Sequence, residues 1–235
     1  MNLRERRQLL EDDLAGSRWR SAVSPSTHGL ERTLVPTLQA EARGRFLDAG
    51  CGHQPYRKLV QGRVDEYISF DIEARVPDVD VIADINDLSV MADDSFDSIL
   101  CSEVLEHVPT PDQALRELAR VLAPGGSLIL SVPFLARLHE EPHDYFRYTR
   151  YGLTSLCERA GLTVESITPT GSVLSFLGHQ VSTGLLSSTW GTPVLGKLAF
   201  ALNAVLVTYP ANAIDRALGI GRMFPLGYVA VVRAA

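Results

Sequence analysis

The chain has 235 residues, enough for one α/β domain with a substantial core, and its make-up of 46% hydrophobic and 21% charged residues excludes a largely disordered protein. A net charge of -6 argues against nucleic acid as a main partner, because phosphate binding needs a basic surface. The three cysteines, Cys51, Cys101 and Cys157, are odd in number and lack metal-ligand spacing, so reduced thiols in a cytoplasmic protein are expected.

The opening MNLRERRQLLEDDL is charged where a secretion signal would be apolar. It reads as an amphipathic helix with Leu3, Leu9, Leu10 and Leu14 inward, and a second helix is expected over Gly29 to Ala42, weakened by Pro36. Arg45-Phe46-Leu47-Asp48-Ala49 is a short buried strand. The Gly50-Cys51-Gly52 that follows lets backbone turn tightly and a ligand approach. The third glycine of a dinucleotide fingerprint would fall on Pro55, so that type of helix-to-strand packing is not specified, and a short helix is read from Pro55 to Val60.

A second strand, Glu66 to Phe70, ends in Asp71, where doubly wound folds place a carboxylate that accepts from ribose hydroxyls. A third, Asp80 to Ala83, ends in Asp84, placed to accept from the exocyclic amine of adenine. A fourth, Phe96 to Cys101, leads into Ser102-Glu103-Val104-Leu105-Glu106-His107. The helix Pro111 to Leu122 has proline at its start, Ala114, Leu115, Leu118, Val121 and Leu122 at helical spacing, and Pro124-Gly125-Gly126 as its stop. Ser127 to Val132 is the fifth strand. Alternating strands and helices imply a mainly parallel sheet with its ligand crevice at the carboxyl ends of the strands.

His139-Glu140-Glu141-Pro142-His143 matches the letters H-E-x-x-H, but a zinc site of that kind needs one continuous helix, and Pro142 opposes it by about 3 kcal/mol. A loop is expected, with no metal ligands. It offers His139 or His143 as a base for a hydroxyl or amine, and Asp144, Tyr145, Arg147 and Tyr148 as groups to hold an acceptor. The alternative is that Asp144 and Arg147 pair and brace the loop while Thr149 caps the next helix. His107 is read as a hydrogen-bonded structural residue.

A helix from Tyr151 to Ala160 stops at Gly161, and Leu162 to Ile167 and Leu226 to Val232 are the sixth and seventh strands. Between them lie apolar stretches, Val173 to Leu186 and Pro193 to Tyr209. The latter is interrupted by Lys197 and Asn203 and falls short of the roughly twenty residues that span a bilayer. It reads as a helix buried in the fold, a surface shared with a second copy, or a face in peripheral contact with a membrane through 193–209, with the first two preferred.

The ordered set LDAGCG, ISFD, VIAD, FDSILCSEVLEHV and RVLAPGGSLILSVP resembles the class I S-adenosylmethionine-dependent methyltransferases, in the branch called methyltransferase type 11. The resemblance is carried by residues 45–132 and continues more loosely to the end. It implies a Rossmann-like, seven-stranded, mostly parallel sheet with an antiparallel edge strand, helices on both faces, an N-terminal helical lid or extension over 1–44, and a helical insertion over 172–224. It also implies S-adenosyl-L-methionine held by Asp48, Gly50, Cys51, Gly52, Asp71, Ile72, Asp84, Ile85, Ser102 and Glu103. The loop after the fifth strand would face the transferable methyl group, and the acceptor would be an oxygen, less readily a nitrogen, of a small molecule, natural product or saccharide. Two rivals are a nicotinamide oxidoreductase, disfavoured by the absent third glycine and the lack of a Tyr-x-x-x-Lys dyad, and a partner protein that binds cofactor without turnover.

Overall fold

The computed structural model describes residues 3–17 and 19–234. The chain divides into two compact units, one formed by Thr33–Thr168 with Gly227–Ala235 and the other by Met1–Arg32 with Pro169–Leu226.

The first unit is built on a sheet of β1 (Arg45–Ala49), β2 (Glu66–Asp71), β3 (Val81–Ile82), β4 (Phe96–Ser102), β5 (Leu122–Pro133), β6 (Leu162–Thr170) and β7 (Gly227–Ala234), in the order β3-β2-β1-β4-β5-β7-β6. Strands β1 to β5 pair in parallel and β7 runs antiparallel to β5. The chain reverses its direction of winding between β1 and β4. Ligands of doubly wound sheets bind at such a point, beyond the carboxyl ends of the strands.

The helices here are amphipathic or short. Pro111–Val121 starts on proline, whose missing N–H costs nothing there, and buries Ala114, Leu115, Leu118 and Val121. Those side chains join Leu47, Phe70, Ile99, Leu128 and Leu130 in one apolar core. The first helical turn after the glycine bend covers Arg57–Val60. The helix Arg150–Arg159 is capped by Thr149, whose side chain accepts from the Gly152 amide, as expected.

Three expectations are corrected. The second N-terminal helix spans Pro25–Glu41 and passes through Pro36, and its Leu34 and Leu38 are fully buried, so packing outweighs the lost hydrogen bond. The strand β5 begins at Leu122, five residues before expected, and the Pro-Gly-Gly run lies inside it. The register shifts opposite Phe96/Ser98, and Gly125 at φ 70° absorbs the irregularity. The 193–209 stretch does not stop at Tyr209: helix Leu195–Asn203, a π turn Ala204–Thr208 and helix Tyr209–Leu218 form one continuous segment of 24 residues, long and apolar enough to cross a membrane, and only 28% of its best window is buried. Its expected burial in the fold is therefore not found.

The second unit is helical. Besides that segment it holds Leu3–Ala15, Arg20–Val23, the start of Pro25–Glu41 and Val173–Thr189. Leu10 is buried and Leu9 exposed, while the side chain of Leu3 lies outside the described set.

Candidate functional site

At the end of β1 the chain bends through Gly50 and Gly52, at φ 67° and 52°. The two glycines serve different ends. A Cβ on Gly50 would strike Val104 Cγ2 at 2.5 Å, whereas one on Gly52 would meet nothing within 4 Å, so the space beside the Gly52 amide is a cradle that a side chain would fill. Both the Gly50 and Cys51 amides donate to the Phe70 carbonyl, and the Gly52 amide donates to Asp71 Oδ2 at 2.8 Å, which ties the bend to the end of β2. Asp71 is buried, Ile72 beyond it is 67% exposed, and Ile85 is packed into the core. Asp84 is exposed, and its Oδ1 accepts from the backbone and side chain of Asn86.

Asp48 is buried under the bend and accepts from the Tyr67 hydroxyl at 2.6 Å. Burial raises its carboxyl to about 6, opposed by the Tyr67 hydrogen bond and helped by the Asp71 charge. Burial, then the charges of Asp48 and Asp71, push the Cys51 thiol up to about 12, so it is no nucleophile.

On the other side of the switch point, Ser102 Oγ and Ser131 Oγ are 2.8 Å apart and Ser131 Oγ donates to Glu103 Oε1 at 3.0 Å. Glu103 sits at φ 54°, a conformation that side-chain-bearing residues adopt at a cost of about 1–3 kcal/mol and that clusters at functional sites. The Glu103 amide, bonded to the Ser131 carbonyl, holds it there.

The turn Leu105–His107 follows, and it carries what sequence reasoning missed. Glu106 is fully buried, and neither carboxylate oxygen has a hydrogen-bond partner. His107 Nε2 lies 3.7 Å and His139 Nε2 4.0 Å from Glu106 Oε1, with the two rings edge to face at 4.8 Å. Burial, then the Glu103 charge, raises the Glu106 carboxyl well above its usual range, and burial, then His107, lowers His139. One atom each of Glu106, His107 and His139 fall within 4.8 Å of one another, a grouping that also suits a divalent cation, although no metal ligands were expected from the sequence. The signal was in the letters: acid, acid and histidine at 103, 106 and 107, just past a strand end.

The loop after β5 is not helical, in line with the Pro142 argument. Arg147 grips Asp144 with two nitrogens at 2.5 and 2.7 Å, and this pairing holds the Asp144 carboxyl far below its usual range. Asp144 Oδ2 also accepts from the His139 amide at 3.0 Å and lies 3.4 Å from its Nδ1. Tyr148 is buried with its hydroxyl on the Leu105 carbonyl. Of the four residues expected to hold an acceptor, three are thus engaged in bracing this loop, because their partners lie within a few residues or in the adjoining turn. Tyr145 stays 44% exposed, with its hydroxyl 3.1 Å from His143 Nδ1.

A parallel sheet with a glycine bend after β1, a buried aspartate at the end of β2 and an acidic turn after β4, all around one switch point, is the arrangement of a Rossmann-like fold. A family model described as a methyltransferase domain matches residues 18–167. A ubiquinone biosynthesis O-methyltransferase of Xanthomonas oryzae pv. oryzae is 30% identical over 133 residues, 49% of this chain and 56% of that protein, so the chain spans little more than half the length of such relatives. Among solved structures, the [4+2]-cyclase SpnF superposes with a TM-score of 0.60 at 18% identity, covering 88% of this chain and 80% of that one. An S-adenosylmethionine-dependent methyltransferase of Mesorhizobium loti gives 0.56 at 16%, covering 86% and 97%. The chain belongs to the class I S-adenosylmethionine-dependent methyltransferases.

Proposed function

We propose that this enzyme methylates a hydroxyl oxygen of a small-molecule acceptor, with His139 as the base and S-adenosylmethionine held across the β1–β4 switch point. The observation that carries the reading is the Glu106–His107–His139 grouping, its acid buried and its two histidines half-buried, set where the turn after β4 meets the loop after β5. The match to a relative named as an O-methyltransferase supports oxygen over nitrogen.

The cofactor, when bound, supplies a methyl group that its sulfonium has already made electrophilic. The open cradle at Gly52 would admit its methionine end, Asp71 would accept from its ribose and Asp84 from its adenine, and Asp48 would lend negative charge beneath the bend. What remains for the protein is to align the acceptor, exclude water and take one proton. His139 suits the last task. With Nδ1 turned to the Arg137 carbonyl and Asp144, its Nε2 is left to accept, and the lowered pKa keeps the ring neutral. The Arg147–Asp144 pair fixes the backbone at His139, so the ring is aimed by its neighbours. His143 is exposed and bonded to Tyr145, and is the lesser candidate.

A second reading uses the same grouping differently: Glu106, His107 and His139 hold a divalent cation that acidifies the acceptor hydroxyl. The unpartnered Glu106 oxygens favour it. Turnover of His139→Ala separates the cases. As base, its loss lowers kcat by about 10²–10⁴-fold with cofactor affinity by calorimetry unchanged, and chelation of the wild type does nothing. If chelation abolishes turnover and a divalent cation restores it, the second reading holds. If His139→Ala turns over like the wild type, both fall.

A further inference from the structure

We propose that the helical unit seats the chain on the surface of a lipid bilayer, with the face of Leu195–Leu218 lying in the interfacial plane. This stands apart from the identity of the acceptor. The observation behind it is that the polarity of its two long C-terminal helical segments is inverted, although Leu10, Val23, Leu186 and Ala199 form a small buried cluster in the unit. In Val173–Thr189 and Leu195–Leu218, the buried positions include Ser175, Ser182, Ser187, Thr189, Asn203, Thr208, Asn212 and Asp215. Leucine at that depth is represented by Leu186, while Leu195, Leu198, Leu202, Val205, Leu206 and Tyr209 are each at least 45% exposed.

Most of the inward polar groups are bonded to one another or to backbone, the Ser187 hydroxyl and Asn203 Oδ1 being the exceptions. Asp215 accepts from the Ser172 hydroxyl and from the amide and hydroxyl of Ser175, Asn203 donates to the Val23 carbonyl at 2.9 Å, and Asn212 donates to the Pro25 carbonyl at 3.2 Å. Water-exposed helices bury their leucines and expose such groups; helices surrounded by hydrocarbon do the reverse, packing through small and polar side chains. A second copy of the chain would cover a patch, but it would not explain why the polar groups lie inside.

Charge points the same way. Within 173–226 the acidic residue is Asp215, which is buried, and the basic ones are Lys197, Arg216 and Arg222, in a protein whose net charge is -6. Lys197 and Arg216 are exposed, as an anionic lipid surface requires. Tyr209 and Trp19, 49% and 51% exposed, are the aromatic types that favour the headgroup level. Crossing the bilayer is excluded by Leu3–Ala15: its Arg6 donates to the carbonyls of Ser188 and Trp190, and its Asp13 accepts from Trp190 Nε1, so charged groups clasp the turn that a spanning hairpin would push through the hydrocarbon.

The test is flotation of the full chain with vesicles of equal parts phosphatidylcholine and phosphatidylglycerol. The wild type is expected to float, and Leu202→Asp with Leu206→Asp to lower its partition coefficient by about tenfold or more while retaining its circular dichroism and cofactor affinity. Lys197→Glu with Arg216→Glu is expected to weaken flotation by about fivefold per charge on these vesicles and not on phosphatidylcholine alone. Should the aspartate pair fail to fold, Leu202→Ser with Leu206→Ser takes its place. A wild type that does not float, or leucine variants that float as well as it does, overturns the proposal. So does lipid-free ultracentrifugation in which those variants dissolve a dimer while vesicles capture neither protein, for then the face belongs to a second copy.

Discussion

The sheet unit and the helical unit solve the same packing problem with opposite sets of side chains. Around β1 to β5, leucine, isoleucine and phenylalanine fill the interior, and the helix Pro111–Val121 turns its four apolar positions to the sheet. In the helical unit, serine, threonine, asparagine and aspartate share the interior with a small cluster of Leu10, Val23, Leu186 and Ala199, and the leucines of Leu195–Leu218 face outward. The lesson is that apolar content alone does not say which side of a helix is the inside. The solvent on the far side decides that, and the pairing of the polar groups records it.

The sharpest way to break the comparison is to truncate a leucine in the sheet core. Leu118 is fully buried in the main cluster, so Leu118→Ala is expected to cost about 2–5 kcal/mol of unfolding free energy, transfer and cavity together, as read by urea titration. A cost near zero would mean the sheet unit is no better packed than the helical one.

Next in size is a buried carboxylate within the sheet unit. Asp48 has a folded pKa raised to about 6 from 3.8, so the fold favours its protonated form: this contribution is intact below the unfolded value and is lost as pH rises through about 6. The shift corresponds to about 3 kcal/mol at most. Asp48→Asn should therefore gain stability on the wild type between pH 4 and 7 in thermal melts of the free enzyme, since Asn accepts from Tyr67 without carrying charge. Parallel melting curves for the two proteins across that window would show the carboxylate to be comfortably solvated.

These contrasts also explain what the sequence could show. The strands, their mainly parallel run and the glycine bend were legible because the first three strands are short, largely apolar and followed by Gly or Asp, and buried parallel strands read as apolar runs. The β5 start was not, because a bulge at Gly125 lets pairing continue through letters that otherwise stop a strand. Glu106, His107 and His139 were not read as one group, because strand adjacency and not sequence spacing brings 106 to 139. The polarity of the insertion was hidden by composition: an apolar helix in the core and one against lipid use the same letters. The discriminating signal was the rhythm of the exceptions, Ser175, Ser182 and Thr189 at every seventh position, then Thr208, Asn212 and Asp215 at helical spacing.

That rhythm gives a third, smaller effect. Asp215→Ala removes the acceptor of the Ser175 amide and hydroxyl and of the Ser172 hydroxyl, all buried. An orphaned buried donor costs about 1–3 kcal/mol, and hydrogen exchange should show the loss confined to the helical unit, with the amides of β1, β4 and β5 protected as before. Loss of protection in both units together would make the polar interior a support for the whole chain and blur the distinction drawn above.

The smallest effect is the most diagnostic. Leu206 is 66% exposed, so in lipid-free solution Leu206→Ala leaves little apolar contact to lose and is expected to change unfolding free energy by no more than about 0.5 kcal/mol. The same chemical change at Leu118 removes the same atoms from a filled interior, so the ratio of the two costs measures the inversion directly. With anionic vesicles present the account changes, because Leu206 would then be withdrawn from water by lipid, and the alanine variant should lose part of whatever stabilisation the vesicles confer on the wild type. A large cost at Leu206 without lipid would place that side chain inside the protein, and the helical unit would then be an ordinary core seen from the wrong side.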